Sequence, residues 1–334
     1  MNRININQLS NMSDFNNNNH NKYVDGSNDH AIVVTLEDRS NLKLVTCLST
    51  YEPTSSTSSS STSSTSSTSS TKIPLKIVYS HGLTEDHTMH NRYVSFNHES
   101  MNISHILTYD VRGHGGSDSP LDTSTYIWKE LALDQLSLTN KYSIHKYIAA
   151  GASMGCATAL YTYLLSPERI EKLILIIPPT CYEEREPKKK SYREIANMID
   201  SKGHCDFIIN AADHCNVPGP FKTKDNNSNN SNDDIIFFRR QRKAALELWR
   251  NKPECLSRIF RGAGDENNNF PSREQLSSIK IPALILAWTD DSSHPVSSAL
   301  ELQRLIQNSQ LHIANTKEDF LNWNNIVKDF LNET

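Results

Sequence analysis

From Leu75 onward the chain repeats one alternation, a short apolar run followed by a segment with apolar residues at helical spacing. The runs are 75–80, 105–110, 147–150, 173–177, 283–288 and 311–314; helical spacing is read over 89–101, 127–138, 156–165, 296–306 and 318–331. Runs this short and this apolar bury both faces, and helices between them return the chain for the next strand. The expected fold is therefore α/β, a mostly parallel central sheet with helices on both faces. In such sheets the working groups collect at the carboxyl ends of the strands.

The rest of the chain departs from that rhythm in three places. About thirty polar residues at the start, Asn16 to Asn19 among them, carry too little apolar surface to order themselves and are expected to be a disordered tail, 1–30. Segments 31–38 and 41–49 read as strands joined by a tight turn at Arg39 and Ser40, an N-terminal β-hairpin. Residues 54–71 are only serine and threonine, a flexible loop open to phosphorylation. It is expected to interrupt one fold, because strand 75–80 needs neighbours on both sides and the hairpin strands are the nearest candidates. Residues 182–277 become helical and polar, with helices read over 186–203, 235–250 and 253–261 and a flexible tract over 225–233. The organisation expected is a core, 31–181 and 278–334, interrupted by a helical insertion.

Composition excludes several classes. A net charge of −4 and a pI near 6.4 leave no basic excess to neutralise phosphates, so no nucleic-acid partner is expected. The run Lys188 to Lys190 reads as a solvated helix start. Six scattered cysteines, and an N-terminus without a basic-then-apolar pattern, point to reduced thiols and a cytoplasmic location. No apolar run reaches the roughly 20 residues of a membrane span. An obligate protein partner is not expected.

One stretch carries chemistry. Gly151-Ala152-Ser153-Met154-Gly155 fits G-x-S-x-G, between an apolar strand and an apolar helix. A serine on a sharp strand-to-helix turn exposes its Oγ, the glycines relieve crowding, and the next backbone N–H faces a developing oxyanion.

Three further motifs, in order along the chain, join it: Ser80-His81-Gly82-Leu83 after the strand at 75, Tyr109 to Asp118 (YDVRGHGGSD) after the strand at 105, and Ala287 to Pro295 (AWTDDSSHP) after the strand at 283. With the Ser153 pentapeptide they resemble the α/β-hydrolase superfamily over most of the chain from about Ala31 on. The resemblance implies a sheet of that fold, a helical cap at 182–277, a Ser153 nucleophile, and an oxyanion hole from the backbone N–H groups of Leu83 and Met154. It also implies an acid after the next-to-last strand, where Asp291, four residues before Pro295, is preferred to Asp290.

The base departs from the family pattern. Its histidine follows the last strand, yet here that strand leads into Thr316-Lys317-Glu318-Asp319, with Asp319 in roughly the expected place. Downstream of the acid only His294 and His312 remain. His312, inside a strand, reads as a packed or edge residue. His294 is the candidate base, against the plainer reading that it only precedes a helix start at Pro295; His87, His90 and His214 are loop substitutes.

The expected function is hydrolysis of a carboxylic ester or similar small acyl compound through an acyl-enzyme on Ser153. The alternative is a non-catalytic member of the fold that binds a small ligand or protein partner, which would explain the missing histidine. No cofactor and no metal are expected: the spacing of His204-Cys205 and His214-Cys215 matches no common zinc module, His81 in the cluster with Asp86, His87 and His90 already fits the H-G turn, and no G-x-G-x-x-G loop is present.

Overall fold

The computed structural model describes residues 31–51, 73–202, 217–222, 233–247, 249 and 252–333. The expected tail, the Ser/Thr tract, His204-Cys205, His214-Cys215 and residues 225–232 lie outside the described residues.

Strands β1 (Ile32–Leu36) and β2 (Leu42–Thr50) pair antiparallel, with Leu36 opposite Leu42. Ser40 and Asn41 close the turn at φ 59° and 58°, left-handed geometry that serine and asparagine tolerate because their short polar side chains bond locally. Then follow β3 (Leu75–Ser80), a single turn α1 (His98–Met101), β4 (Ile103–Tyr109), α2 (Trp128–Lys141), β5 (Tyr147–Ala152), α3 (Met154–Leu165) and β6 (Ile170–Ile176). Helices α4 (Arg185–Lys202), α5 (Asp233–Glu247), α6 (Pro253–Ala263) and α7 (Arg273–Ser277) precede β7 (Ala283–Trp288), α8 (Val296–Leu305), β8 (Ser309–Ala314), α9 (Lys317–Leu321) and α10 (Trp323–Asn332).

All eight strands form one sheet in the order β1-β2-β4-β3-β5-β6-β7-β8. Every pair from β4 to β8 is parallel, and β2 joins β4 antiparallel. This corrects the expected placing of the hairpin: β3 lies between β4 and β5, and β2 meets the outer side of β4. The strand reached first after a long loop need not pair with the strand before it, and a right-handed crossover through α1 puts β4 in between.

The two faces of the sheet explain the unbroken apolar runs. Along β7, Ala283, Ile285 and Ala287 enter the core beneath α2, α3 and α8, whereas Leu284, Leu286 and Trp288 enter the core beneath α10. Full burial of each large side chain contributes about 1.5–3 kcal/mol. A third cluster, with Ala196 and Ile199 of α4, Leu246 of α5, and Leu256, Ile259 and Phe260 of α6, forms a helical layer linked to the sheet side through Tyr126.

Three local expectations are corrected. Segment 89–101 is not one helix: Tyr93, Val94 and Phe96 pack as irregular chain against the sheet, and the Asn97 side chain caps α1. The terminal helix is broken at Asn322, so that Phe320 and Trp323 both face the Trp288 ring. Lys189 is not solvated; it is buried, and its ammonium donates to the Glu266 carbonyl and Asn269 Oδ1, both at 3.0 Å. Among the described residues no helix is long and apolar enough to cross a membrane.

Candidate active site

Ser153 sits between β5 and α3 at φ 51°, ψ −110°, outside the regions an L-residue ordinarily occupies. Such a conformation costs on the order of 1–3 kcal/mol and persists only where the surroundings fix it. Here the Ser153 N–H donates to the Ile176 carbonyl at 2.9 Å, and the Cys156 N–H donates to the Ser153 carbonyl at 2.9 Å. The flanking glycines are steric requirements. A Cβ on Gly151 would lie 2.4 Å from the Gly155 carbonyl carbon, and one on Gly155 would lie 1.9 Å from the Ser80 oxygen. The start of α3 therefore presses against the end of β3, where the turn Ser80 to Leu83 begins.

The turn after β7 brings an acid and an imidazole to the same serine. His294 Nε2 lies 2.8 Å from Ser153 Oγ, and His294 Nδ1 lies 2.8 Å from Asp291 Oδ2. Because an ionised carboxylate only accepts, Nδ1 carries the proton and Nε2 is free to accept from the serine hydroxyl. Asp291 also accepts from the Trp288 indole at 2.9 Å and from the Ser293 N–H at 2.8 Å. Burial alone would push this carboxyl up; His294, the Ser293 N–H and the indole outweigh it and hold Asp291 well below the usual carboxylate range. Asp290, by contrast, faces outward and pairs with Lys222 at 3.2 Å.

The turn Ser80-His81-Gly82-Leu83 is braced from both sides. His81 Nε2 accepts the Val111 N–H at 3.0 Å, so its Nδ1 carries the proton and donates to the Gly82 carbonyl at 2.8 Å. The Glu85 carboxylate accepts the Gly82 N–H at 2.9 Å and is fastened by Arg92 at 2.9 Å and the Tyr93 hydroxyl at 2.8 Å. Leu83, Met154 and Ser153 line one cavity under the helical layer.

The other sequence candidates lie elsewhere. Asp319 is a capping residue: its Oδ2 accepts the Asn315 and Thr316 N–H groups, both at 2.9 Å. His312 stays half-buried within β8. His87 Nδ1 binds Asp110 Oδ1 at 2.7 Å, which raises its pKa through that bond. His90 Nδ1 donates to the His87 carbonyl at 3.1 Å. Asp86, His87 and Asp110 bring possible metal ligands within 4.8 Å of one another. Asp110 there accepts the His87 and Gly116 N–H groups, and Asp86 accepts the Thr88 N–H. Sequence reasoning missed Trp288 and Glu85: Trp288 stands in the Ala287 to Pro295 motif but was given no role there, and Glu85 lies just past the Ser80 to Leu83 turn; each acts on a residue three positions away.

Comparison with known proteins agrees with this architecture. A family profile described as alpha/beta hydrolase fold matches residues 77–193. The curated 3-oxoadipate enol-lactonase 2 of Acinetobacter baylyi is 22% identical over 219 residues, covering 64% of this chain and 73% of the relative. Among solved structures, a hydrolase from Pseudomonas aeruginosa PA01 superposes with a TM-score of 0.67 at 16% identity, over 92% of this chain and 100% of that one. A thermophilic esterase from Thermogutta terrifontis gives a TM-score of 0.63 at 18% identity, over 90% and 98%. The chain has the α/β-hydrolase fold.

Proposed function

We propose that the protein is a serine hydrolase that cleaves a carboxylic ester or a lactone through an acyl-enzyme on Ser153. The observation that carries this is the imidazole of His294 at 2.8 Å from both Ser153 Oγ and Asp291 Oδ2. His294 takes the serine proton as Oγ attacks the acyl carbon; the N–H groups of Leu83 and Met154 stabilise the oxyanion; His294 then protonates the departing oxygen. In a lactone that oxygen stays tethered, so attack opens the ring and water releases the acyl group in a second round. The lactonase and esterase names of the relatives and neighbours support this substrate class. His294 beside Ser153 favours this reading over a non-catalytic member of the fold that binds a ligand or partner.

We place the helices between β6 and β7 as the cap. The cavity with Ser153 lies beneath this layer, walled by Tyr192 and Ile259, where a cap of this kind controls access.

A fluorophosphonate probe should label the protein, a short-chain aryl ester should be hydrolysed, and both signals should disappear in Ser153→Ala. His294→Ala should lower turnover by about 10²–10⁴-fold. Folded wild-type protein that takes no label would refute the enzyme reading, and unchanged turnover in His294→Ala would remove this residue as the base.

A further inference from the structure

Arg185 is buried, only 3% exposed, and lines the same cavity as Ser153, Leu83 and Met154. Its Nη2 donates to the Ala263 carbonyl at 2.8 Å and its Nε to the Asn268 carbonyl at 3.3 Å. The guanidinium lies 4.1 Å from the Trp128 ring, with the Tyr192 phenol beside it. All of these partners are neutral. Among the described residues no carboxylate lies within ion-pair distance of Arg185; the adjacent Glu186 faces out and pairs with Lys189 and Arg193.

Its position adds to the imbalance. Arg185 is the first residue of an 18-residue helix, at the positive end of the dipole, so its own helix gives it no compensation. Arg112, the other cation of the cavity wall, is already matched: its Nε and Nη2 hold Asp134 at 2.6 and 2.5 Å. His114, also on the wall, is kept neutral, since burial and the neighbouring His81 push its imidazole down to about 3. Among the described residues Arg185 is thus the one cation of the cavity wall without an ion-pair partner, with only the more distant Glu186 acting on it, and a buried charge without a counter-ion costs several kcal/mol in general.

We infer that Arg185 recognises a carboxylate on the acyl portion of the substrate, so that the site takes anionic esters or lactones, such as monoesters of dicarboxylic acids. A single guanidinium matches a single negative charge, whereas a phosphate dianion would leave one charge buried and unmatched; its remaining N–H donors suit the two oxygens of a carboxylate. The inference rests on the acyl-transfer reading above and specifies its substrate.

The test compares 4-nitrophenyl hydrogen glutarate with its methyl-capped diester, which differ in charge and little else. A charge-assisted hydrogen bond predicts that kcat/KM for the anion exceeds that for the neutral ester by about 10- to 100-fold, and that the ratio falls toward one in Arg185→Met. Methionine keeps an apolar stem on Trp128. Protein that takes the fluorophosphonate label and hydrolyses the neutral ester without preferring the anion overturns this inference and leaves the hydrolase reading standing. No label and no turnover of either ester overturns the hydrolase reading itself. A preference that survives in folded Arg185→Met overturns the assignment to Arg185. Should that variant fail to fold, wild-type protein decides: free glutarate should slow labelling of Ser153 while glutaramide does not, and equal protection by both overturns the inference.

Discussion

Replacing Gly155 with alanine should damage both stability and the site, although the position is helical and alanine is the better helix former. Gly155 is the second residue of α3, and a Cβ there would lie 1.9 Å from the Ser80 oxygen, 2.7 Å from its carbon and 3.2 Å from the His81 oxygen. These are backbone atoms at the end of a central strand and cannot swing aside. An ordinary carbon–oxygen contact is about 3.3 Å, so helix and strand must part by roughly 1.4 Å. Overpacking of this kind costs about 1–3 kcal/mol, offset by the ~1 kcal/mol that alanine gains over glycine in a helix; the net loss is about 0–2 kcal/mol, so the larger effect falls on the site. The two segments forced apart carry Ser153 with Met154 and the turn to Leu83, so the groups proposed as nucleophile and oxyanion donors lose register. A misplacement near 1 Å costs about 10²-fold in rate. Urea unfolding and the rate of fluorophosphonate labelling measure the two effects. Wild-type stability together with a wild-type labelling rate would refute the close approach of α3 to β3.

Two other perturbations test the surroundings. Asp134→Ala leaves buried Arg112 without its bidentate partner, while Arg39 keeps Glu130; the expected loss is about 3–5 kcal/mol in urea unfolding, and adding Arg112→Met should recover part of it. His114 titrates near about 3 in the folded protein because of burial and His81, against about 6.5 in the unfolded chain. The unfolded state thus binds the extra proton, and stability drops as pH falls from about 6.5 toward 3 by up to about 1.4 kcal/mol per unit; His114→Gln should flatten that part of the urea-unfolding profile.

The parallel strands were legible because burial on both faces leaves a run such as Ala283 to Trp288 no polar position, and periodicity alone then marks it. Which strand lies beside which was less legible. The hairpin was assigned to β3 by nearness along the chain, while the register pairs Thr46 with Tyr109 of β4. Helical spacing over 89–101 misled because Tyr93, Val94 and Phe96 are apolar for the sake of the sheet they cover, and an irregular segment can bury residues at the same intervals as a helix. Lys188 to Lys190 read as solvated because a lysine's partners are often carbonyls of distant chain, as Glu266 is for Lys189. The same limit hides Arg185. Its acceptors, the carbonyls of Ala263 and Asn268, lie 78 and 83 residues away, and any arginine at a helix start looks alike in a sequence.

The location of the imidazole follows from a geometric constraint on β7 and its turn. Asp291 and His294 are three residues apart, and the His294 N–H donates to the Asp291 carbonyl at 3.2 Å. Acid and imidazole are thus held by one tight turn, itself anchored by the Trp288 indole and by Lys188 Nζ on Ser293 Oγ at 2.8 Å. Their mutual distance depends on local backbone alone, so the long-range variable is where the turn sits relative to Ser153, two strands away across β6. The loop after β8 is then released from supplying a histidine, and Asp319 there caps α9. Lys188 comes from α4, the same helix that begins with Arg185. Helix α4 thus touches both the cavity wall, through Arg185, and the turn that carries Asp291 and His294, through Lys188.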